Sequence, residues 1–213
     1  MTPASNPDWD SPCDPARRHA IDPAPSSMLR PALFIDLAGV LLDAPPRCAP
    51  STGRLPGLRG GVGAALRLLE RLDYRIVVLA PCALDRRRAS HVLPARICDL
   101  LARERVALAA FCCCDATQAP CEACPPASTL LLRAAHDFDL ALSGTASWVL
   151  ARDADFITAG RRAGCRTMQV GGGGGEDAWP APVLPCSGAH GPAAYQARDI
   201  VDAALAIVRL DGA

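Results

Sequence analysis

Residues 34–40 read FIDLAGV, and the prediction of the fold starts from this stretch. Its first two residues, Phe34 and Ile35, continue an apolar run from Ala32 and Leu33 that ends at Asp36. An apolar run of this length, bounded by a charged residue, is typical of a buried strand. The stretch therefore predicts a buried strand with the Asp36 carboxylate at its end.

Similar apolar runs alternate with helical segments along the rest of the chain. Further strands are predicted at residues 75–79, 106–111, 148–150 and 167–170. Helices are predicted at residues 60–72, 84–104, 128–138, 155–163 and 199–210. Ser128 is expected to cap the third helix, and Pro94 is expected to kink or split the second. This alternation predicts an α/β fold, in which a parallel sheet carries helices on both faces.

The residues that follow each predicted strand are the candidates for function. Open parallel sheets bind their ligands at the carboxyl ends of the strands. The candidate positions are Asp36, Ala80, the cysteine-rich loop at residues 112–126 and the turn at residues 151–155.

The composition excludes several classes of function. The chain has 213 residues, half of them hydrophobic, with 22 basic and 22 acidic residues. A net charge of zero gives no reason to expect a nucleic acid or an anionic membrane as partner. No apolar run approaches the roughly 18 residues of a membrane span. Every basic residue is arginine, so any chemistry that needs a lysine amine is excluded.

The first 29 residues differ in composition from the rest of the chain. Six prolines stand there among Asp, Ser and Ala, with little apolar surface to bury. We therefore expect a disordered tail at residues 1–29 and a single domain at residues 30–213. The tail lacks the pattern of a secretory signal, which predicts a cytoplasmic protein whose 11 cysteines do not form disulfides.

Residues 34–40 resemble the first motif of the phosphatases of the haloacid dehalogenase (HAD) superfamily, a hydrophobic strand followed by Asp-x-Asp-Gly and then Val or Thr. Later landmarks follow in the family's order: a strand at residues 74–79, a cysteine loop, a helix from Leu130, a strand at residues 147–150 and a helix with a glycine exit at residues 159–165. The order of these landmarks resembles that in the heptose bisphosphate and histidinol-phosphate phosphatases. The resemblance implies a HAD-like, Rossmann-like fold of three layers and a hydrolase of carbohydrate metabolism.

The same resemblance implies roles for single residues, and most of these residues depart from the family pattern. Asp36 stands at the position of the nucleophile. The departures are Ala38 for the general acid and base, Ala80 for the Thr or Ser that binds the phosphoryl group, Pro125 for the lysine and Arg152 for an acidic metal ligand. Phosphoryl transfer needs a proton for the leaving oxygen and cations to offset negative charge. We therefore expect phosphatase activity to be weak or absent.

The family's Mg²⁺ motif, Gly-Asp-x-x-x-Asp, reads ARDADF at residues 151–156. A shift of one residue would bring Asp153 to the metal position, so the expected Mg²⁺ ligands are Asp36 and Asp153. Arg152 would compete with the metal for the same place.

The cysteine-rich loop predicts a second metal. Four cysteines lie within thirteen residues: Cys112, Cys114, Cys121 and Cys124. The resembling phosphatases bind structural zinc at this place, and four thiolates suit tetrahedral Zn²⁺. Two alternatives stay open, namely reduced thiols without metal and a redox pair formed by Cys121 and Cys124.

Three functions follow from these patterns. The favoured one is a HAD-fold protein with an impaired hydrolytic site, a pseudophosphatase that binds a small phosphorylated ligand. The second is an active Mg²⁺-dependent phosphatase acting on a sugar phosphate or another small phosphomonoester. The third is a metal-binding or thiol-redox module that uses the cysteine loop. The five glycines at residues 171–175 lack the spacing of a phosphate-binding loop and favour a linker.

Overall fold

The computed structural model describes residues 29–43, 57–80, 89–113, 128–142, 147–171 and 194–211. The strands in these ranges are β1 (Arg30–Asp36), β2 (Arg75–Ala80), β3 (Leu108–Cys113), β4 (Leu140–Ala141), β5 (Trp148–Ala151), β6 (Arg166–Val170) and β7 (Ala194–Ala197). The helices are α1 (Val62–Glu70), α2 (Ala89–Arg103), α3 (Thr129–Asp137), α4 (Ala154–Arg162) and α5 (Ile200–Asp211). A π-helical turn, Leu37–Leu41, follows β1 directly.

The strands form one sheet in the order β3-β2-β1-β5-β6-β7, and neighbouring strands in this order are parallel. The short strand β4 pairs with the first residues of β1. The predicted α/β architecture with a parallel sheet is therefore confirmed. The chain builds outward from β1 to β3 and then returns to the other side of β1 as β5. The strand order thus reverses between β1 and β5, which makes their carboxyl ends the topological switch point of the sheet.

Helices cover both faces of the sheet and give three layers. Leu33 and Ile35 of β1 pack in one core layer with buried residues of α1, α2 and α5. Phe34 packs in the opposite layer with buried residues of α3 and α4. These three side chains are fully buried, and burial of a side chain of this size stabilises the fold by about 2 kcal/mol. The apolar run that precedes Asp36 is therefore the centre of the core.

Several predicted boundaries differ from the structure. The sequence ends the third strand before Cys112, whereas β3 continues through it because Leu79 pairs with Cys112 in the parallel ladder. A buried cysteine behaves as a small hydrophobic residue, so it extends the strand. The Ser128 side chain makes no capping hydrogen bond to α3. Helix α2 continues as one element through Pro94.

The amino edge of the sheet carries a charged cluster of Tyr74, Trp148, Arg166 and Asp211, which we call the Arg166 cluster. Arg166 donates to both carboxylate oxygens of Asp211, with 2.7 Å between Nη2 and Oδ2. Trp148 Nε1 donates to the same Oδ2 at 3.0 Å, and the Tyr74 hydroxyl donates to it as well. The guanidinium lies 4.1 Å from the centroid of the Trp148 ring. The cluster therefore fastens the last turn of α5 to the starts of β5 and β6.

Two further expectations concern the amino-terminal tail and a membrane-spanning helix. Of the predicted tail, Leu29 alone falls within the described residues, so the boundary at residue 30 stays a prediction. Within the described ranges, no helix has the length and apolar character needed to cross a bilayer.

Candidate functional site

The switch point brings together the turns that follow β1 and β5. Asp36 is the last residue of β1, and Ala38 and Gly39 lie in the turn that follows it. Arg152 and Asp153 lie in the turn after β5. Because β1 and β5 are parallel neighbours, these residues lie at one edge of the sheet. This edge is the candidate functional site.

Asp36 is buried beneath the π-helical turn, with 3% of its surface exposed. Its Oδ1 accepts a hydrogen bond from the Ala38 amide at 3.1 Å. The backbone amides of Gly39 and Arg152 also face the carboxylate and lower its pKa. Burial raises the pKa of Asp36, and this effect outweighs the lowering by the three amides. The negative charge of Asp153 raises the pKa further. Asp36 is thus an enclosed carboxylate that is harder to ionise than an ordinary aspartate.

Gly39 allows the two turns to approach each other. A Cβ atom at this position would lie 2.3 Å from Asp36 Oδ2 and 2.6 Å from Arg152 Cβ. No side chain fits between them, so glycine is required by close packing. We did not single out Gly39 as a site residue from the sequence, although a glycine shortly after a strand-end carboxylate signals a close backbone approach.

Arg152 is anchored through its backbone while its side chain is exposed. Its carbonyl accepts a hydrogen bond from Gln169 Nε2 at 3.3 Å, and its amide faces the Asp36 carboxylate. Gln169 is a second residue that sequence reasoning did not find, since nothing in a strand pattern marks a side chain that reaches a neighbouring turn. The arginine side chain itself lies in solvent at the switch point.

Asp153 begins α4. Its Oδ1 accepts a hydrogen bond from the Asp155 amide at 2.8 Å, so this carboxylate serves as the N-cap of the helix. Its negative charge acts on Asp36. The assignment of these two carboxylates as Mg²⁺ ligands stays a prediction. Phe156, which occupies the family's second acidic position, is buried in the core between α4 and the sheet. Phe156 therefore contributes no ligand at this edge.

The two alanines at the site carry no chemistry. Ala38 lies in the π-helical turn and is half-buried, and Ala80 is fully buried at the end of β2. A methyl group neither transfers a proton nor donates a hydrogen bond. Pro125 lies outside the described residues.

Of the four cysteines of the predicted zinc site, the structure describes one. Cys112 is buried in the core layer that contains α3, whereas Cys114, Cys121 and Cys124 lie outside the described residues. Burial raises the pKa of another cysteine, Cys165, to about 12, so its thiol stays protonated and unreactive at neutral pH. The four-cysteine site stays a prediction.

The described residues fit a Mg²⁺ ion poorly. Mg²⁺ requires near-octahedral coordination by oxygen atoms. The carboxylate of Asp36 faces three amides, and that of Asp153 caps α4. Within the part of the chain that the structure describes, no group of three or more His, Cys, Asp or Glu side chains could hold a metal ion. No reaction step through Mg²⁺ is therefore supported by this geometry.

Comparisons with known proteins identify the fold. No family model matches the chain, and no curated protein matches its sequence. A D,D-heptose 1,7-bisphosphate phosphatase from B. bronchiseptica, complexed with magnesium and phosphate, superimposes with a TM-score of 0.64 at 16% identity, over 84% of this chain and 99% of that one. A HAD-like phosphatase from Mesorhizobium loti gives 0.62 at 22% identity, over 85% and 87%.

A third solved structure belongs to the same superfamily. The cobalt-bound deoxy-D-mannose-octulosonate 8-phosphate phosphatase from Haemophilus influenzae gives a TM-score of 0.52 at 14% identity, over 86% of this chain and 90% of that one. At these identities the likeness concerns the fold. The chain has the three-layer fold of the HAD-superfamily phosphatases, as the sequence predicted.

Proposed function

We propose that this protein is a pseudophosphatase, which binds a small phosphorylated ligand at the switch point between β1 and β5 and does not hydrolyse it at an enzymatic rate. One observation carries the proposal. The carboxylate of Asp36 is buried, and methyl groups stand at the two positions that would assist it, Ala38 and Ala80. Such a site contains a nucleophile without a proton donor beside it.

The first consequence concerns the leaving group. When a phosphate ester is cleaved, the departing oxygen needs a proton, and a positioned general acid typically accelerates the reaction about 10²–10⁴-fold. Ala38 cannot supply this proton. Asp153 is the neighbouring carboxyl group, but its hydrogen bond to the Asp155 amide holds it at the start of α4.

The second consequence concerns charge. A carboxylate that attacks phosphate brings two negative groups together, and enzymes offset this repulsion with metal ions and cationic side chains. The chain contains no lysine. The exposed Arg152 is followed in the chain by two acidic residues, Asp153 and Asp155. The site therefore lacks the excess positive charge that would stabilise the transition state.

Arg152 favours binding rather than turnover. Its backbone carbonyl accepts a hydrogen bond from Gln169, while its side chain is exposed to solvent. A guanidinium pairs with phosphate through two parallel hydrogen bonds. The likeness in fold to phosphatases of sugar bisphosphates and related sugar phosphates supports a ligand of that class.

The test is a titration of the full chain with inorganic phosphate, in which calorimetry measures the binding. The Arg152→Gln variant should weaken phosphate binding by about tenfold, since a hydrogen bond to a charged group contributes about 1.5 kcal/mol. The matched control is Arg209→Gln, because Arg209 is exposed near the end of α5, at the amino edge. Equal affinities for the two variants would contradict phosphate binding at the switch point.

The two other functions predict different results. An active phosphatase releases phosphate in a Mg²⁺-dependent reaction that Asp36→Asn abolishes. A metal-binding or redox module binds zinc, or shows reactive thiols, without any affinity for phosphate at Arg152.

A further inference from the structure

Gln169 reaches from the sheet to the turn that carries Arg152. It is the next-to-last residue of β6 and pairs in register with Ala151, the last residue of β5. Its Nε2 donates a hydrogen bond to the backbone carbonyl of Arg152 at 3.3 Å. Because Arg152 follows Ala151 directly, a side chain of the neighbouring strand holds the first residue of the turn.

Two further contacts restrict the same turn. The Cβ atom of Arg152 packs against Gly39, since a Cβ atom at Gly39 would lie only 2.6 Å from it. The next residue, Asp153, accepts a hydrogen bond from the Asp155 amide at 2.8 Å and so caps α4. The backbone of Arg152 is thus restrained on several sides, whereas its side chain is exposed.

A restrained backbone favours anion binding by a long side chain. An arginine that binds an anion loses rotamer freedom, and this loss weakens the binding. When the backbone beneath the side chain is already ordered, less freedom is lost on binding. A residue that orders the backbone therefore strengthens binding without touching the anion.

We infer that Gln169 is a positioning residue for phosphate, which acts through the backbone of Arg152 and restrains the base of its side chain at the switch point. This role rests on the proposed function, because Arg152 is the residue expected to bind phosphate there. Gln169 itself does not contact the ligand.

The side-chain amide of Gln169 tests the hydrogen bond without any ligand. The matched control is Gln196, which pairs with Gln169 in the ladder between β6 and β7 and is exposed. In NMR measurements of solvent exchange, the bonded Nε2 hydrogen of Gln169 should exchange at least about threefold more slowly than those of Gln196. Equal rates would mean that the bond is absent and would overturn the positioning role before phosphate is added.

Titration with inorganic phosphate then tests the effect on binding. Gln169→Met removes the donor and keeps a side chain of similar length. It should weaken phosphate binding by about fivefold, less than Arg152→Gln does, because a neutral hydrogen bond contributes less than one to a charged group. Gln196→Met should leave the affinity unchanged. If Gln169→Met does not fold, Gln169→Leu removes the same donor and should give the same result.

A double-mutant cycle separates positioning from a merely structural role. In the Arg152→Gln background, Gln169→Met should change phosphate affinity by less than about twofold, because the side chain through which Gln169 acts is gone. A general loosening of the site would instead multiply the two losses, to about fiftyfold in the double variant, and would overturn the positioning role.

The same titrations distinguish this role from the proposed function. If wild type does not bind phosphate, or if Arg152→Gln binds it as tightly as wild type, both the proposed function and the positioning role are wrong. If Arg152→Gln weakens binding and Gln169→Met does not, the positioning role alone is wrong.

Discussion

Removal of the negative charge of Asp211 should destabilise the protein strongly, although this residue lies at the last position of α5. The side chain of Asp211 is 16% exposed, and that of Arg166 is 10% exposed. In Asp211→Asn the guanidinium of Arg166 stays buried against Trp148 without a compensating charge. Loss of one partner of a buried ion pair costs about 3–5 kcal/mol. We expect about 3 kcal/mol, the low end, because the last helical turn can separate from the sheet and admit water.

Thermal unfolding measures this loss. For a chain of this length, each kcal/mol lowers Tm by about 2–4 °C, so Asp211→Asn should lower Tm by roughly 6–12 °C. The matched control is Asp73→Asn, which breaks the ion pair of Asp73 with Arg30, where the Asp73 side chain is 73% exposed. An exposed pair contributes at most about 1 kcal/mol. Equal effects of the two substitutions would refute the interpretation of the Arg166 cluster as a buried ion pair.

The dependence on pH provides a second check on the same cluster. Burial alone would raise the pKa of Asp211, but hydrogen bonds from Arg166, Tyr74 and Trp148 outweigh it and hold that pKa below its ordinary value. A lowered pKa in the folded state stabilises the protein above the pKa of the unfolded state, about 3.9. The stability difference between wild type and Asp211→Asn should therefore be constant above about pH 5 and shrink below about pH 4. A difference that disappears on raising the pH would contradict this sign.

Three further predictions concern packing, the tail and zinc. Gly160→Ala should cost about 1–3 kcal/mol in a denaturant titration, because its methyl group would lie 2.7 Å from a side-chain atom of β5, whereas Gly60→Ala should be neutral. A chain that begins at residue 30 should melt within a few degrees of the full-length protein, and a large decrease in Tm would mean that the tail packs on the domain. Protein purified without chelator should contain one Zn²⁺ per chain by elemental analysis, and Cys121→Ser with Cys124→Ser should release it; less than about a tenth of an equivalent in wild type would rule out the zinc site.

The main elements of the fold could be predicted because their patterns are local. The central strands β1, β2 and β5 are buried on both faces, so each appears in the sequence as an apolar run, as in residues 32–35. The helices that cover the sheet have apolar residues at helical spacing, as α5 does with Ile200, Ala203, Ala204 and Ile207. The remaining elements lack such a signal. Strand β4 has two residues, and β7 reads AYQA, with an exposed Gln196 that breaks the apolar run.

The candidate site could be located from the sequence but not described. A strand-end carboxylate predicts where Asp36 lies, since the carboxyl ends of parallel strands form one edge. The burial of that carboxylate depends on the approach of Arg152 to Gly39, two residues far apart in the chain. Likewise, the π-helical turn forms where the Asp36 side chain accepts from the Ala38 amide. Contacts of this kind are tertiary, so no local pattern predicts them.

We propose that the wild-type protein does not catalyse phosphate ester hydrolysis. The most direct measurement is phosphate release from a heptose bisphosphate and from an aryl phosphate, with Mg²⁺ present, by wild type and by Asp36→Asn. We predict no release above background from either protein. Ala38→Asp alone should not restore turnover, since the charge compensation is still missing. A variant that combines Ala38→Asp with Ala80→Thr, Pro125→Lys and Arg152→Asp is the one expected to gain phosphatase activity. A wild-type turnover near 1 s⁻¹, at the low end of the usual range of about 1–10³ s⁻¹, that Asp36→Asn abolishes would contradict the claim and identify an active phosphatase.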